Sequence, residues 1–219
     1  MIDCITTSLL WSHGMVIVYG VALLALLGVI FWRPLVPFAL GLLVFCIYFF
    51  RNPERSCAAA FHDESVLVCP ADGRVVAVES GVSDPSMPGY TQKVAIFLSI
   101  FDVHVTRVPM AGEIEAISYR PGAFLMAFAP KSSDVNERNE VVIYDKERDR
   151  SVAVRQIAGF IARRICCWVD NGQSVTTGQT LGMIRFGSRV EVFLPEQVSV
   201  AVGKGDYVYG GHTVLGYWR

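Results

Sequence analysis

The sequence lacks a Cys-x-x-Cys pair, and no group of cysteine and histidine has zinc-ligand spacing, although six cysteines and four histidines are present. No metal centre is therefore expected. Cys4, Cys46, Cys57, Cys69, Cys166 and Cys167 read as reduced structural thiols. Charge is also scarce, at 18% of residues with a formal net charge of −1. Without a basic field to neutralise phosphates, nucleic acid is excluded as a partner. No lysine or arginine precedes Met15, and Asp3 stands there instead. The basic n-region of a cleaved signal peptide is missing.

What is abundant is apolar sequence, 53% of the chain, and it is concentrated near the N-terminus. One charge-free run extends from Met15 to Trp32 and a second from Leu35 to Phe50, with Arg33-Pro34 between them. Each run is near the short end of what spans a hydrocarbon core, and Pro34 suits a tight turn. The reading is an N-terminal apolar helical membrane anchor over residues 1–50. It is either a hairpin of two short helices or a re-entrant, interfacial segment. Arg51 and Arg55 follow the second run, so the positive-inside rule puts residues 51–219 in the cytoplasm, at the cell membrane.

From about Ser65 the pattern becomes short β-like runs punctuated by Gly, Asp and Pro. Val66–Cys69, Arg74–Val78, Lys93–Phe101, Phe160–Val169 and Arg189–Leu194 read as strands, and Val141–Tyr144 with Ser151–Ile157 as a hairpin around Asp145–Arg150. The best helical candidate here is Ala123–Ala129. The fold class is mainly β (α+β). Gly172-Gln-Ser-Val175-Thr-Thr-Gly178-Gln-Thr180 and Gly205-Asp-Tyr-Val208-Tyr-Gly-Gly211-His-Thr213 repeat Gly, Val, Gly and Thr at the same offsets. Such units resemble the half-motifs of lipoyl and biotinyl carrier domains. A quasi-symmetric β-sandwich is expected, with its two halves flanking residues 183–195.

One short segment can carry unusual chemistry: Arg185-Phe186-Gly187-Ser188-Arg189-Val190-Glu191. A Gly-Ser pair is most often a plain turn. Glycine also leaves the backbone free to strain, and the serine hydroxyl can then attack the preceding carbonyl and turn the amide into an ester. Elimination and hydrolysis would leave a pyruvoyl group. A base must sit near the hydroxyl. Asp72, in Pro70-Ala71-Asp72-Gly73, is one candidate, though Asp-Gly is also a common turn. His104 is the other, in the run Asp102-Val-His104-Val-Thr-Arg107, where strand alternation would put Asp102 and His104 on one face.

Several segments, in order, resemble the short bacterial type of phosphatidylserine decarboxylase proenzyme. Tyr48-Phe-Phe-Arg-Asn52-Pro-Glu-Arg55 is similar to that family's junction after the membrane segment, with Asn52 in place of the commoner Asp. Pro70–Gly73 resembles its catalytic-aspartate turn, and Phe101–Val105 its histidine strand. Pro121-Gly-Ala-Phe124 and Asn136-Glu-Arg-Asn139 resemble its pocket region, and Arg185–Ser188 its processing site. The resemblance implies cleavage between Gly187 and Ser188 into a large chain (1–187) and a small chain (188–219) that stay associated. It implies a pyruvoyl cofactor derived from Ser188, with Asp72, His104 and Ser188 as catalytic residues and Phe124 and Asn136 in the substrate pocket. The reaction implied is decarboxylation of membrane phosphatidylserine to phosphatidylethanolamine and carbon dioxide. Longer family members carry a second histidine where this chain has Arg107. Two alternatives stand beside this reading: a pyruvoyl decarboxylase of a soluble amino acid, and a membrane-tethered lipoyl-like adaptor without activity.

Overall fold

A computed structural model of the chain describes residues 11–31, 33–123, 135–159, 165–184 and 188–219. The helix expected over Ala123–Ala129 falls outside these residues except for Ala123, which bridges to Asn136. The chain divides into two units, Met1–Glu54 and Arg55–Arg219.

The first unit holds α1 (Trp11–Phe31) and α2 (Leu35–Phe49), with the turn at Arg33-Pro34. Small side chains let the two helices approach. A Cβ on Gly28 would sit 3.4 Å from Leu35 Cβ and from Val36. Val18, Val21 and Ala25 are buried, at the spacing of one helix face. The other faces expose Leu23, Leu24, Leu26, Leu27, Phe38, Leu40 and Val44. Among the described residues no helix is long and apolar enough to cross a membrane.

The second unit is a β-sandwich. After the short helix α3 (Ala58–His62) come β1 (Val66–Val68), β2 (Gly73–Ser80), β3 (Gln92–Leu98), β4 (Val105–Arg107), β5 (Gly112–Arg120), β6 (Arg138–Asp145) and β7 (Arg150–Ala158). Then follow β8 (Ile165–Cys167), β9 (Ser174–Val175), β10 (Thr180–Ile184), β11 (Ser188–Leu194), β12 (Val198–Val200), β13 (Tyr207–Val208) and β14 (Val214–Trp218). One layer is an eight-stranded sheet in the order β13-β2-β3-β11-β7-β6-β5-β9. The other layer is two three-stranded sheets, β1-β14-β12 and β4-β10-β8. A single apolar core lies between the layers, built from Leu67, Val75, Ile96, Ile114, Val154, Leu181, Val190, Val192, Leu215 and their neighbours.

The Gly-x-x-Val-x-x-Gly repeat marks a full internal duplication. The order of the large sheet reads the same from either end once β13, β2, β3 and β11 are matched to β9, β5, β6 and β7. The small sheets match as β1-β14-β12 to β4-β10-β8. Even irregularities correspond: β2 bulges between Val75 and Ala77, and β5 between Ile114 and Ala116. The halves exchange backbone bonds, Arg107 N–H to Pro70 O at 2.7 Å and Val68 N–H to Pro109 O at 3.0 Å. Val192 pairs with Val154 where β11 meets β7, so the pseudo-axis runs through that pair. Gly172, Gly178, Gly205 and Gly211 all have positive φ, which accounts for glycine at these four turns. One half, β4 to β10, is continuous. The other is split into β1–β3 and β11–β14, so the chain crosses between halves twice, at β3–β4 and at β10–β11.

The outer face of the large sheet is held by charge. Arg155 donates to Glu140 at 2.8 Å and to Glu191 at 3.2 Å, and its Nη2 lies 2.8 Å from Asp84. Its guanidinium also stacks on Phe193. Burial pulls the Arg155 pKa down, but the three carboxylates outweigh it and the net direction is up. Arg155→Leu removes the guanidinium that Glu140, Glu191 and Asp84 share; Glu140 keeps Arg138 at 3.3 Å and Glu191 keeps Arg189 at 3.0 Å, so the loss stays below the about 3–5 kcal/mol of a fully unpaired buried charge. The urea midpoint of the unprocessed Ser188→Ala chain falls accordingly on adding this change. An unchanged midpoint contradicts the assignment.

Candidate active site

Ser188 opens β11 and pairs with Leu98 on one side and Ala158 on the other. Alternation puts it on the face of Val190, Val192 and Leu194, toward the core. It is fully buried, and its Oγ has no hydrogen-bond partner among the described residues. An unsatisfied buried hydroxyl costs about 1–3 kcal/mol. Such an atom calls for a strain, catalytic or solvent explanation. The preceding residues Arg185, Phe186 and Gly187 lie outside the described residues. They link β10 in one layer to β11 in the other.

His104 stands at the other crossing. β3 ends at Leu98, directly opposite Ser188. The chain then turns through Ser99–Asp102 and enters the second layer at β4, with His104 as the residue before that strand. His104 is fully buried, and its backbone oxygen accepts from Ile184 N–H at 3.3 Å. Ile184 is the last residue of β10, so the two crossings meet. Asp102 and His104 do not lie on a common strand, contrary to the alternation argument. The His104 Nδ1 faces the Asp102 carbonyl oxygen at 2.9 Å. A carbonyl only accepts, so Nδ1 carries the proton, and in the neutral form of the ring the lone pair is on Nε2. The Asp102 carboxylate takes Ser99 N–H at 2.7 Å and the Tyr207 hydroxyl. Burial and the Asp102 carboxylate push the Tyr207 phenol above its usual range, which keeps it a donor.

Asp72 lies in the β1–β2 turn and is buried. Both its oxygens are engaged. Arg55 donates to them at 2.6 and 2.7 Å, and Gly210 N–H donates at 2.8 Å. The group at the proton-bearing nitrogen of His104 is therefore the Asp102 carbonyl rather than the Asp72 carboxylate. Arg107 donates to Gly178 O at 3.0 Å. Burial and the nearby Arg55 charge lower its pKa, against the pull of Asp72. Arg74 pairs with Phe97, which puts Gly73 in one row with Leu98, Ser188 and Ala158. At about 4.8 Å per strand, Gly73 is about 10 Å from Ser188.

Asn136 is buried, and its Nδ2 donates to Ala158 O at 2.8 Å. Ala158 pairs with Ser188, so Asn136 stands one strand away from the serine. Phe124 lies outside the described residues. Sequence reasoning missed Arg55, Tyr207 and the buried bridge from Asn139 through Gln156 to Thr106, whose two bonds are both 3.1 Å. A cavity of about 980 Å³ lies elsewhere, against α3 and the β6–β7 turn; it includes Arg55 but not Ser188, His104 or Asn136. Among the described residues no cluster suited to a metal ion is found.

Ser188 is thus a buried serine at one layer crossing, and His104 an imidazole at the adjoining one. The family model for phosphatidylserine decarboxylase matches residues 42–216. The chain belongs to the phosphatidylserine decarboxylase family. A phosphatidylserine decarboxylase proenzyme of Carboxydothermus hydrogenoformans is 44% identical over 94% of this chain and 95% of its own length. One of Syntrophus aciditrophicus is 39% identical over 95% and 97%. One of Ruegeria pomeroyi is 44% identical over 84% of each. The family match covers every site residue described above.

The Arg55–Asp72 pair gives a test. Arg55→Ala leaves a buried carboxylate with the Gly210 amide as its remaining donor here, and the chain loses thermal stability. Arg55→Lys restores the charge but not the two-pronged geometry, and recovers only part of the loss. Equal melting temperatures for Arg55→Ala and the parent chain contradict this role.

Proposed function

We propose that this chain is a self-cleaving proenzyme and that its mature form decarboxylates phosphatidylserine to phosphatidylethanolamine and carbon dioxide. The observation that carries the reading is the orphaned Ser188 hydroxyl, buried where the chain crosses between layers. In the proposed step Ser188 Oγ attacks the Gly187 carbonyl carbon and gives up its proton to a base. The Gly187–Ser188 amide breaks as the ester forms. Loss of the Ser188 α-proton then breaks the ester C–O bond and releases the Gly187 carboxylate. Water replaces the nitrogen, and ammonia leaves. His104 is the base this geometry favours, because its lone pair is on Nε2 and its backbone is tied to the end of β10.

The residues present fit the pyruvoyl group, since its precursor hydroxyl is buried on the core side of β11 without a hydrogen-bond partner among the described residues. Once formed, that group supplies an electron sink for the carbanion left when carbon dioxide departs. His104 is the candidate to return a proton to that carbon. Asn136 and Phe124 are the proposed pocket residues. Asp72, fixed by Arg55 and Gly210, holds a negative charge at the same end of the sandwich. No metal enters the proposal.

The cleaved chains would remain one fold. β11 lies between β3 and β7, and β14 between β1 and β12, so separating residues 188–219 would tear the large sheet along its middle. The helical hairpin with its exposed leucines is proposed as an interfacial anchor at the cell membrane, with residues 51–219 on the cytoplasmic side. A bilayer-resident substrate favours this enzyme over one for a soluble amino acid. An adaptor would not need the buried serine.

Ser188→Ala abolishes cleavage, because no oxygen remains to form the ester. His104→Ala slows it by roughly 10²–10⁴-fold, the range for loss of one general base. Both are followed as the appearance of two chains on a denaturing gel. Cleavage of Ser188→Ala would overturn the proposal, and normal cleavage of His104→Ala would remove histidine from processing.

A further inference from the structure

The end of the large sheet that holds Ser188 is also its apolar rim. In register there lie the start of β2, the end of β3, the end of β5, the start of β6, the end of β7 and the start of β11. Large apolar side chains are exposed around this end. Ile100 and Phe101 lie in the turn after β3, Tyr119 near the end of β5, and Val135 just before Asn136. Tyr207 and Tyr209 lie in and after β13. Phe101 is 62% exposed and Tyr119 57%. Elsewhere on the large sheet, among the described residues, the comparable exposed side chain is Val78, in mid-strand. The asymmetry is thus confined to one end.

The rim is also physically joined to the site. The Tyr207 hydroxyl binds the Asp102 carboxylate, whose backbone carbonyl holds His104. The Tyr207 and Tyr209 rings meet edge to face at 5.1 Å. Arg120, half exposed and 4.0 Å from the Glu140 carboxylate, lies at the end of β5.

We infer that this rim is a membrane-docking surface and that it seats the mouth of the active site on a phospholipid bilayer. The inference rests on the function proposed above. Acyl chains hold a diacyl phospholipid in the bilayer, while Ser188 is buried behind this end of the sheet. The headgroup must therefore enter where the rim is. Tyrosine and phenylalanine suit that boundary, since their rings partition into the headgroup region. An arginine at the same level meets lipid phosphates.

Two measurements test it on the full-length, processed protein. The first compares two forms of phosphatidylserine: a long-chain form in phosphatidylcholine vesicles, and a short-chain form kept monomeric in solution. The double variant Ile100→Ser with Phe101→Ser, and separately Val135→Ser, should cleave themselves completely and turn over the monomeric lipid at the parental rate. Their apparent KM for vesicle substrate should rise, by roughly tenfold for the double variant. Equal losses on both substrates, or no loss on vesicles, would overturn the rim. The second measurement does not depend on decarboxylation. In Phe101→Trp, the fluorescence added over the parent chain should be quenched by phosphatidylcholine brominated on its acyl chains. Unquenched added fluorescence on vesicle-bound protein would also overturn it. If the parent protein releases no carbon dioxide from either lipid, the functional reading fails and the quenching result still decides the rim.

Discussion

The structure depends on one constraint: a hydroxyl that folding buries without a partner. Ser188 is held in place by two neighbouring strands, which give it Leu98 and Ala158 as backbone partners, while its Oγ is left unsatisfied among the described residues. The cost, about 1–3 kcal/mol, is small beside the burial of the rest of β11, every residue of which is buried. The sandwich can therefore hold a reactive group against its own preference. Moving the serine by one register position would send it to the outer face, among the charges of Arg155, Glu140 and Glu191.

Duplication explains why the site lies at this end. Two similar half-sandwiches would bury a symmetric core without forming any special place. Symmetry fails where the chain passes from one half to the other. Ser99–His104 lies at the same end as Ile184 and Ser188, and Ile184 N–H donates to His104 O. The matched turn of the other half shows the contrast: Pro70-Ala71-Asp72-Gly73 corresponds to Pro109-Met110-Ala111-Gly112, so the acid occurs in one copy only. The segment after Ser188 contributes to both supports, through Gly210 to Asp72 and through Tyr207 to Asp102. Cutting the chain at Ser188 leaves those bonds intact.

Much of this was legible in the sequence. The two helices and their turn at Arg33-Pro34 follow from charge-free runs, and the β6–β7 hairpin follows from Asp145–Arg150. The repeated Gly-x-x-Val-x-x-Gly spacing indicated quasi-symmetric halves. The pairing of those halves was not legible, because it depends on strands far apart in sequence. Lys93–Phe101 was read as one strand, but it ends at Leu98, since Asp102 caps a turn through Ser99 N–H. The same turn separates Asp102 from the strand that follows His104. Arg55 and Tyr207 were hidden for a similar reason. Arg55 meets its carboxylate across β1, 17 residues on, and Tyr207 across most of the domain, 105 residues back; nothing local marks either pairing.

The most direct measurement is the mass of the purified protein's chains after separation in denaturant. The account predicts two chains, residues 1–187 and 188–219, with the smaller one lighter than its serine-terminated form by one ammonia. Its N-terminus should resist stepwise Edman degradation. A single intact chain of 24.1 kDa in catalytically active material would contradict the account. So would a small chain that begins with unmodified serine.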